Sequence, residues 1–139
     1  MLSKPEMFVL RNARNSAAKG SCSNAILAIP VKHDSATPTL SAHLNIISAG
    51  LTLGETKGSN FVPAASLALS TELNRQAFPA MELSNEQAIV YLKRDIIALP
   101  ANAPKGFLIV TYRNIPLGFV KNTDVRANNL FPREWRIRR

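Results

Sequence analysis

The stretch that decides the fold is residues 105–139, KGFLIVTYRNIPLGFVKNTDVRANNLFPREWRIRR. It contains two apolar segments, residues 107–110 and 117–120, that are rich in aromatic and β-branched side chains. Such side chains favour strands, and the Asn114-Ile115-Pro116 segment between them is typical of a tight turn. The sequence therefore predicts a β-hairpin over residues 106–121, followed by a basic segment.

Trp135 in the basic segment has two interpretations. It is either a core aromatic that holds a last strand or a stacking platform for an unpaired base. Trp135 and Ile137 alternate with Arg136 and Arg138, and an alternation of period two is typical of a half-buried edge strand. The alternation favours the core interpretation, in which both arginines point outward.

Positive charge is distributed unequally along the chain. Residues 105–139 carry eight basic and two acidic residues, a net charge of +6, whereas residues 1–104 carry nine basic and seven acidic residues, a net charge of +2. A lysine or arginine that neutralises a phosphate releases a condensed counterion, so this asymmetry is typical of a polyanion-binding surface. Charge alone leaves nucleic acid, an acidic protein and a membrane surface open, although no basic amphipathic helix favours the membrane.

The rest of the chain predicts a mixture of strands and short helices. Ser84 is a good N-cap for a helix that ends near Lys93 and Arg94, and Pro63 fits the first turn of a helix over residues 63–73 with Leu67, Leu69 and Leu73 turned inward. Residues 34–38 predict a turn and residues 39–43 a single helical turn. Strands are expected at residues 6–11, 25–31, 44–50, 51–58 and 96–99.

The sequence has few features that are typical of enzymes. It contains no dinucleotide fingerprint, phosphate-binding loop or nucleophile elbow, and no carboxylates paired for acid–base work. Cys22 lacks a partner cysteine and is interpreted as a loop thiol, and His33 and His43 as surface residues, because no Cys, Asp or Glu cluster gives metal-ligand spacing. We expect no catalytic residue, no cofactor and no metal. The apolar runs are too short for a signal peptide or a membrane span, which predicts a cytoplasmic protein.

Several motifs in residues 50–136 resemble one protein family. They are G-L-x-L-G-E-x-K-G at 50–58, F-x-P at 61–63, A-L-S at 68–70, Tyr-Leu at 91–92, G-F-L-I-V-T-Y-x-x-x-P-L-G-F-V-K at 106–121 and N-N-L-F-P-R-E-W-R at 128–136. In these motifs the chain resembles the C-terminal RNA-binding region of the RsmF-like rRNA cytosine-5 methyltransferases, bacterial proteins that join a methyltransferase domain to a PUA-like module.

The resemblance implies an α+β fold, a small mixed β-barrel of PUA-like type with about two helices. Residues 1–24 would form an N-terminal strand and a flexible connector, and residues 25–139 the PUA-like domain. That domain would consist of an α+β subdomain at 25–75 packed on a PUA-like core at 76–139. The chain departs from the family because it lacks the S-adenosylmethionine-binding segment and a Pro-Cys motif, so Cys22 does not inherit the role of nucleophile.

The resemblance implies an RNA-binding module for structured rRNA rather than an enzyme, acting with a methyltransferase domain or a ribosomal particle. Lysines and arginines would contact phosphates, while asparagines or Arg113 would reach base edges or 2′-hydroxyls. The predicted RNA-binding residues are Lys57, Arg113, Lys121, Arg126, Asn128, Asn129, Arg133 and Arg136. The alternative is an accessory chain whose basic face docks an acidic protein partner.

Overall fold

The computed structural model describes residues 2, 8–14, 24–46 and 49–138. Cys22 and the first two residues of the strand predicted at 6–11 lie outside these residues. The described part contains eight strands and four short α-helices. The strands are β1 (Phe8–Arg14), β2 (Asn24–Pro30), β3 (Leu51–Lys57), β4 (Asn60–Pro63), β5 (Ala80–Glu82), β6 (Gly106–Tyr112), β7 (Ile115–Asn122) and β8 (Ala127–Asn129), and the helices are α1 (Val31–Asp34), α2 (Ala36–His43), α3 (Ala65–Ala68) and α4 (Asn85–Leu92).

The strands form two four-stranded sheets. The first has the order β1-β2-β3-β4 with every neighbouring pair antiparallel. The second has the order β5-β6-β7-β8, in which β5 lies parallel to β6 and the other pairs are antiparallel. The mixed α+β class is therefore confirmed. The strand pairings between described residues do not connect the two sheets into a closed barrel, so the barrel stays a prediction.

The predicted hairpin is confirmed as β6 and β7. Tyr112 pairs with Ile115, which leaves Arg113 and Asn114 as the two turn residues. Their φ angles are 51° and 62°, and positive φ at both positions is the signature of the type I′ turn that matches strand twist. The turn thus lies one residue earlier than the sequence suggested, and Pro116 belongs to β7.

Two apolar clusters surround the second sheet. Ile109 and Phe119 belong to one cluster, together with Leu53 of the first sheet and Leu67 of α3. Leu108, Val110 and Val120 belong to the other, with Tyr91 of α4 and Phe131. Successive side chains of a strand point to opposite faces, so β6 and β7 are buried on both sides over their central residues.

Helix α4 begins and ends as its sequence predicts. The Ser84 side chain accepts a hydrogen bond from the Gln87 backbone N–H at 3.2 Å, and the Gln87 side chain accepts from the Ser84 N–H at 3.1 Å, which completes a capping box. After Lys93, Arg94 takes a φ of 68°. The Arg94 and Asp95 N–H groups donate to the carbonyls of Tyr91 and Val90, the pattern of a Schellman motif.

The helix predicted over residues 63–73 is much shorter than expected. Pro63 pairs with Gly54 in β4, and α3 covers only Ala65–Ala68. After this helix the Ser70 hydroxyl accepts a hydrogen bond from the Glu72 N–H, which favours a turn over further helix. Leu67 and Leu73 are buried as predicted, but Leu69 is 52% exposed.

The region between β2 and β3 also differs from its prediction. Residues 31–43 form α1 and α2 instead of a turn and a single helical turn, and Pro38 is tolerated because it lies in the first turn of α2. The strand predicted at 44–50 is absent from its described residues. Both edges of the neighbouring strand β3 are already paired, to β2 and to β4, so this segment has no free edge there.

Two strands predicted in the C-terminal half are absent. Residues 96–99 form no strand, although Ile97 is buried. Residues 133–135 form a 3₁₀ turn after Pro132. Trp135 and Ile137 are 51% and 41% exposed, so the interpretation of Trp135 as a core residue of a last strand is wrong. Arg136 and Arg138 are exposed as expected.

Candidate nucleic-acid interface

Three side-chain positions form a row across the second sheet. Lys121 of β7 pairs with Phe107 of β6 on one side and with Asn128 of β8 on the other. The Lys121 Nζ lies 5.4 Å from the centroid of the Phe107 ring, within the range of a cation–π contact. All three residues are half-buried. The row thus combines a cation, an aromatic ring and an amide that can both donate and accept.

The alternation of β7 explains why this row is accessible. Phe119, two residues before Lys121 and therefore on the same face, is fully buried in the cluster shared with the first sheet. Lys121 is thus the first position on this face beyond the core. Asn122 points to the other face and is 9% exposed.

Asn122 fixes the loop that carries Arg126. Its Nδ2 donates to the carbonyls of Ala103 and Pro104, both at 3.1 Å, and its Oδ1 accepts from the Asp124 N–H at 3.0 Å. Arg126 is exposed on the rim of a cleft of about 330 Å³ between this loop and residues 96–103. The structure therefore pairs Lys121 with Asn128, and Arg126 lies near the same end of β7 and β8, on the rim of a cleft that Asn122 also lines.

Arg113 lies at the opposite end of the hairpin. At about 3.3 Å per residue, the strand from Ile115 to Lys121 separates the two ends by roughly 20 Å. The Arg113 guanidinium lies 5.3 Å from the centroid of the Tyr112 ring. Arg113 is exposed, but it does not share a compact patch with Lys121.

The hairpin turn is supported by Glu82 of β5. Its carboxylate accepts hydrogen bonds from the Thr111 hydroxyl and from the Asn114 N–H. These bonds hold the pKa of Glu82 below its usual value, and the Thr111 hydroxyl is the largest cause. Arg75 donates to the Asn114 carbonyl at 3.4 Å. The polar groups at this end therefore stabilise the turn.

Two other predicted residues lie apart from the row. Lys57 is exposed at the end of β3, in the first sheet, where it pairs with Asn60. Asn129 is used inside the molecule: its Nδ2 donates to the carbonyls of Tyr91 and Asp95 at 2.9 and 3.1 Å, and its Oδ1 accepts from the Phe131 N–H at 2.9 Å. Asn129 thereby ties β8 to the end of α4.

Arg133 and Arg136 lie in the exposed C-terminal segment that follows Phe131. The Ile137 N–H donates to the Leu92 carbonyl at 3.1 Å, which holds this segment against the end of α4. A shallow cleft of about 350 Å³, which we call the C-terminal notch, is lined by Lys93, Arg136, Ile137 and Arg138. Trp135 precedes the notch in the chain and makes an edge contact with the Phe131 ring, with centroids 6.2 Å apart.

Sequence reasoning missed Phe107, Lys93 and Arg138 as candidate binding residues. The sequence identifies Phe107 only as a strand residue, because its place beside Lys121 depends on the register of the hairpin. The sequence explains Lys93 by helix termination alone. The signal that could have found it is that two consecutive basic residues follow α4, whereas one suffices to end a helix.

The described residues include no cluster of His, Cys, Asp or Glu that could hold a metal ion. His33 and His43 are both exposed. None of the described helices is long and apolar enough to cross a membrane.

Comparison with known proteins finds a family match over the second sheet and its surroundings. Residues 78–137 match the family described as the methyltransferase RsmF PUA domain. This range covers β5 to β8, α4 and the C-terminal segment. The resemblance to the PUA-like region of the RsmF-type methyltransferases, expected from the motifs, is therefore confirmed for this part of the chain.

Individual relatives agree with the family match. The ribosomal RNA small subunit methyltransferase F of Shewanella woodyi is 39% identical over 82 residues, which are 58% of this chain and 16% of that protein. The protein of the same name from Shewanella sediminis is 46% identical over 54 residues, which are 38% of this chain and 11% of that protein. The chain thus spans a small part of the length of these bacterial relatives.

Proposed function

We propose that this chain is an RNA-binding module for structured rRNA that holds its ligand mainly through phosphate contacts. The observation that carries the proposal is the Phe107–Lys121–Asn128 row, which lies within the RsmF PUA match and at the end of the sheet where Arg126 is also exposed. The net charge of +6 in residues 105–139 supports the same assignment.

In this proposal Lys121 and Arg126 contact phosphates and set the position of the RNA. Phosphate contacts carry no sequence information, so discrimination falls to groups that reach base edges or 2′-hydroxyls. Asn128 is suited to this role because its amide both donates and accepts. Arg133 and Arg136 extend the basic surface along the C-terminal segment. Three other predicted residues are secondary candidates, because they lie away from the row or are used in internal hydrogen bonds: Lys57, Arg113 and Asn129.

In this proposal the chain itself has no catalytic role, and it acts with a methyltransferase domain or a ribosomal particle in the cytoplasm. Its PUA-like domain extends over residues 25–139 and adopts the barrel arrangement of that class, with residues 25–75 packed on residues 76–139. Phe119 supports this packing, because it lies in the second sheet and its cluster includes Leu53 of the first.

The test is a titration of a labelled structured rRNA fragment with the protein at several salt concentrations, followed by fluorescence anisotropy. With about four phosphate contacts, the affinity should fall on the order of a hundredfold between about 50 and about 200 mM salt. The double variant Lys121→Gln, Arg126→Gln should bind more weakly and should lower the salt slope by about 2, or about 1 for each lost contact.

The matched control is Lys32→Gln, which removes one exposed charge from α1 in the other half of the chain. It should leave both the affinity and the salt slope unchanged. RNA affinity that does not depend on salt would contradict the phosphate-contact proposal. The alternative, an acidic protein partner, predicts that proteins captured by the chain from a lysate resist nuclease treatment and that purified rRNA fragments do not bind.

A further inference from the structure

The C-terminal notch has more positive charge than the end of α4 requires. The four carbonyls of residues 89–92 accept hydrogen bonds from the backbone N–H groups of Lys93, Asp95, Arg94 and Ile137, and Tyr91 also accepts from Asn129. The Arg94 side chain donates to the Phe131 carbonyl at 2.9 Å. Backbone groups therefore satisfy the end of α4 and Arg94 binds Phe131, so neither contact explains the side chains of Lys93, Arg136 and Arg138.

Within the described residues, no ion pair neutralises the notch. Lys105 and Asp124 form an ion pair elsewhere, whereas the ammonium of Lys93 and the guanidinium groups of Arg136 and Arg138 have no carboxylate within ion-pair distance in the described part of the chain. Residues 93–95 and 133–138 carry five basic and two acidic residues, a net charge of +3. Like charges held around one cleft repel each other, and an anion in the cleft relieves this repulsion.

Trp135 adds an aromatic surface beside these cations in the chain. Its contact with Phe131 restrains the indole, while about half of the residue, 51%, remains exposed. An exposed indole stacks on an unpaired base, a contact worth about 1–3 kcal/mol by alanine substitution. A base within a duplex is already stacked on its neighbours and offers no such face.

We propose that the C-terminal notch binds a phosphate of an unpaired RNA segment through Lys93, Arg136 and Arg138, with the adjoining base stacked on Trp135. This site rests on the proposed RNA-binding function and extends it, because the Phe107–Lys121–Asn128 row holds structured RNA whereas the notch holds a single-stranded part of the same ligand.

Trp135 is the single tryptophan of the chain and reports directly on the site. Oligouridylate added to the protein should quench its fluorescence, and an RNA duplex without overhangs should quench it much less. Lys93→Gln and Arg138→Gln should each weaken oligouridylate binding several-fold, as expected for the loss of one phosphate contact. Lys32→Gln should leave the quenching curve unchanged, and far-ultraviolet circular dichroism should confirm that each variant is folded.

The outcomes separate this inference from the proposed function. If structured rRNA binds by anisotropy while Trp135 emission stays constant with oligouridylate, the notch proposal is overturned and the proposed function stands. Unchanged affinity in both Lys93→Gln and Arg138→Gln would also overturn it. If neither RNA binds the wild-type protein by either method, the proposed function itself fails.

Discussion

The two sheets of this molecule share one packing feature and differ in the side-chain hydrogen bonds around them. Each has an interior glycine against an aromatic side chain, Gly54 beside Phe61 in the first sheet and Gly118 beside Tyr91 in the second. In the second sheet the buried Tyr91 also donates to the Phe119 carbonyl at 3.2 Å, and burial raises the pKa of its hydroxyl so that it remains a donor.

The two sheets also differ in their polar side chains. Asn122, Asn129 and Arg94 each join backbone segments that are distant in sequence, and all three act around the second sheet. A side chain that joins two backbone segments reduces the freedom of both. Among the described residues, more side chains of this kind act around the second sheet than around the first, where the Ser66 hydroxyl donates to the Thr52 carbonyl.

The largest expected effect comes from the side chain that joins the two sheets. Phe119 is fully buried, and its ring packs edge-to-face on Phe78 with centroids 5.0 Å apart. Phe119→Ala should lower the free energy of unfolding by about 3–5 kcal/mol, measured by urea denaturation. Ile115→Ala on the same strand is the control, because Ile115 is 63% exposed, and it should change stability by less than about 0.5 kcal/mol.

The two glycines provide the next comparison. A Cβ at Gly118 would lie 2.1 Å from the Tyr91 hydroxyl oxygen, and the φ of 157° at this position is itself strained for alanine. Gly118→Ala should therefore cost about 1–3 kcal/mol through overpacking, with the backbone strain in addition. Removing that oxygen with Tyr91→Phe should recover part of the loss in the double variant, as a double-mutant cycle would measure.

Gly54→Ala should behave differently because its Cβ would meet the Val62 backbone carbonyl at 2.3 Å. No side-chain truncation removes a backbone oxygen, so Gly54→Ala combined with Phe61→Leu should show little recovery. Equal recovery at both glycines would contradict the distinction between a side-chain and a backbone contact.

A smaller difference is expected between two serines at helix starts. Ser84 accepts a hydrogen bond in the capping box of α4, whereas Ser35 precedes α2 without a side-chain cap. Ser84→Ala should lower stability by about 1 kcal/mol and Ser35→Ala by much less, as thermal unfolding would measure. A loss at Ser35 as large as that at Ser84 would be inconsistent with the capping geometry.

The smallest effect concerns pH. The Thr111 hydroxyl and the N–H groups of the hairpin turn lower the pKa of Glu82 in the folded protein. A lowered folded pKa stabilises the fold above the unfolded pKa, and this contribution disappears as pH falls through the folded pKa. The stability difference between wild type and Glu82→Gln should therefore shrink as the pH falls from above 4.5, the ordinary glutamate pKa, through the lowered pKa of Glu82. A difference that stays constant over this range would show that the carboxylate contacts do not contribute.

Local signals in the sequence identified the second sheet well. The hairpin has strand-forming residues on both sides of a short polar turn, and Ser84 with Gln87 marks the start of α4. The error of one residue in the turn arose because Arg113 occupies a position with positive φ, where Asn or Gly is more common. Arg94 is a similar case at the end of α4, where glycine is usual.

Long-range contacts could not be read from the sequence. The use of Asn129 depends on Tyr91, which lies 38 residues away. The exposure of Trp135 depends on a 3₁₀ turn that replaces the expected last strand, although its alternation with arginines fits a strand equally well. Lys121 and Asn128 could be placed together only once the strand order was known. Arg113 could be placed away from Lys121 only once the direction of the hairpin was known. The charge asymmetry predicts a binding surface in residues 105–139, which stays a prediction, and it does not place the individual cations.

The parallel pairing of β5 with β6 has a consequence for the order of folding. The hairpin of β6 and β7 is closed by two residues and can form within about 1–10 μs. β5 is instead connected to β6 through α4 and the loop after it. Closing this longer connection costs entropy before the three residue pairs between β5 and β6 can form. We expect the hairpin to act as an early template and β5 to join late. Slow or incomplete docking of β5 would leave one edge of β6 open to pairing with another chain.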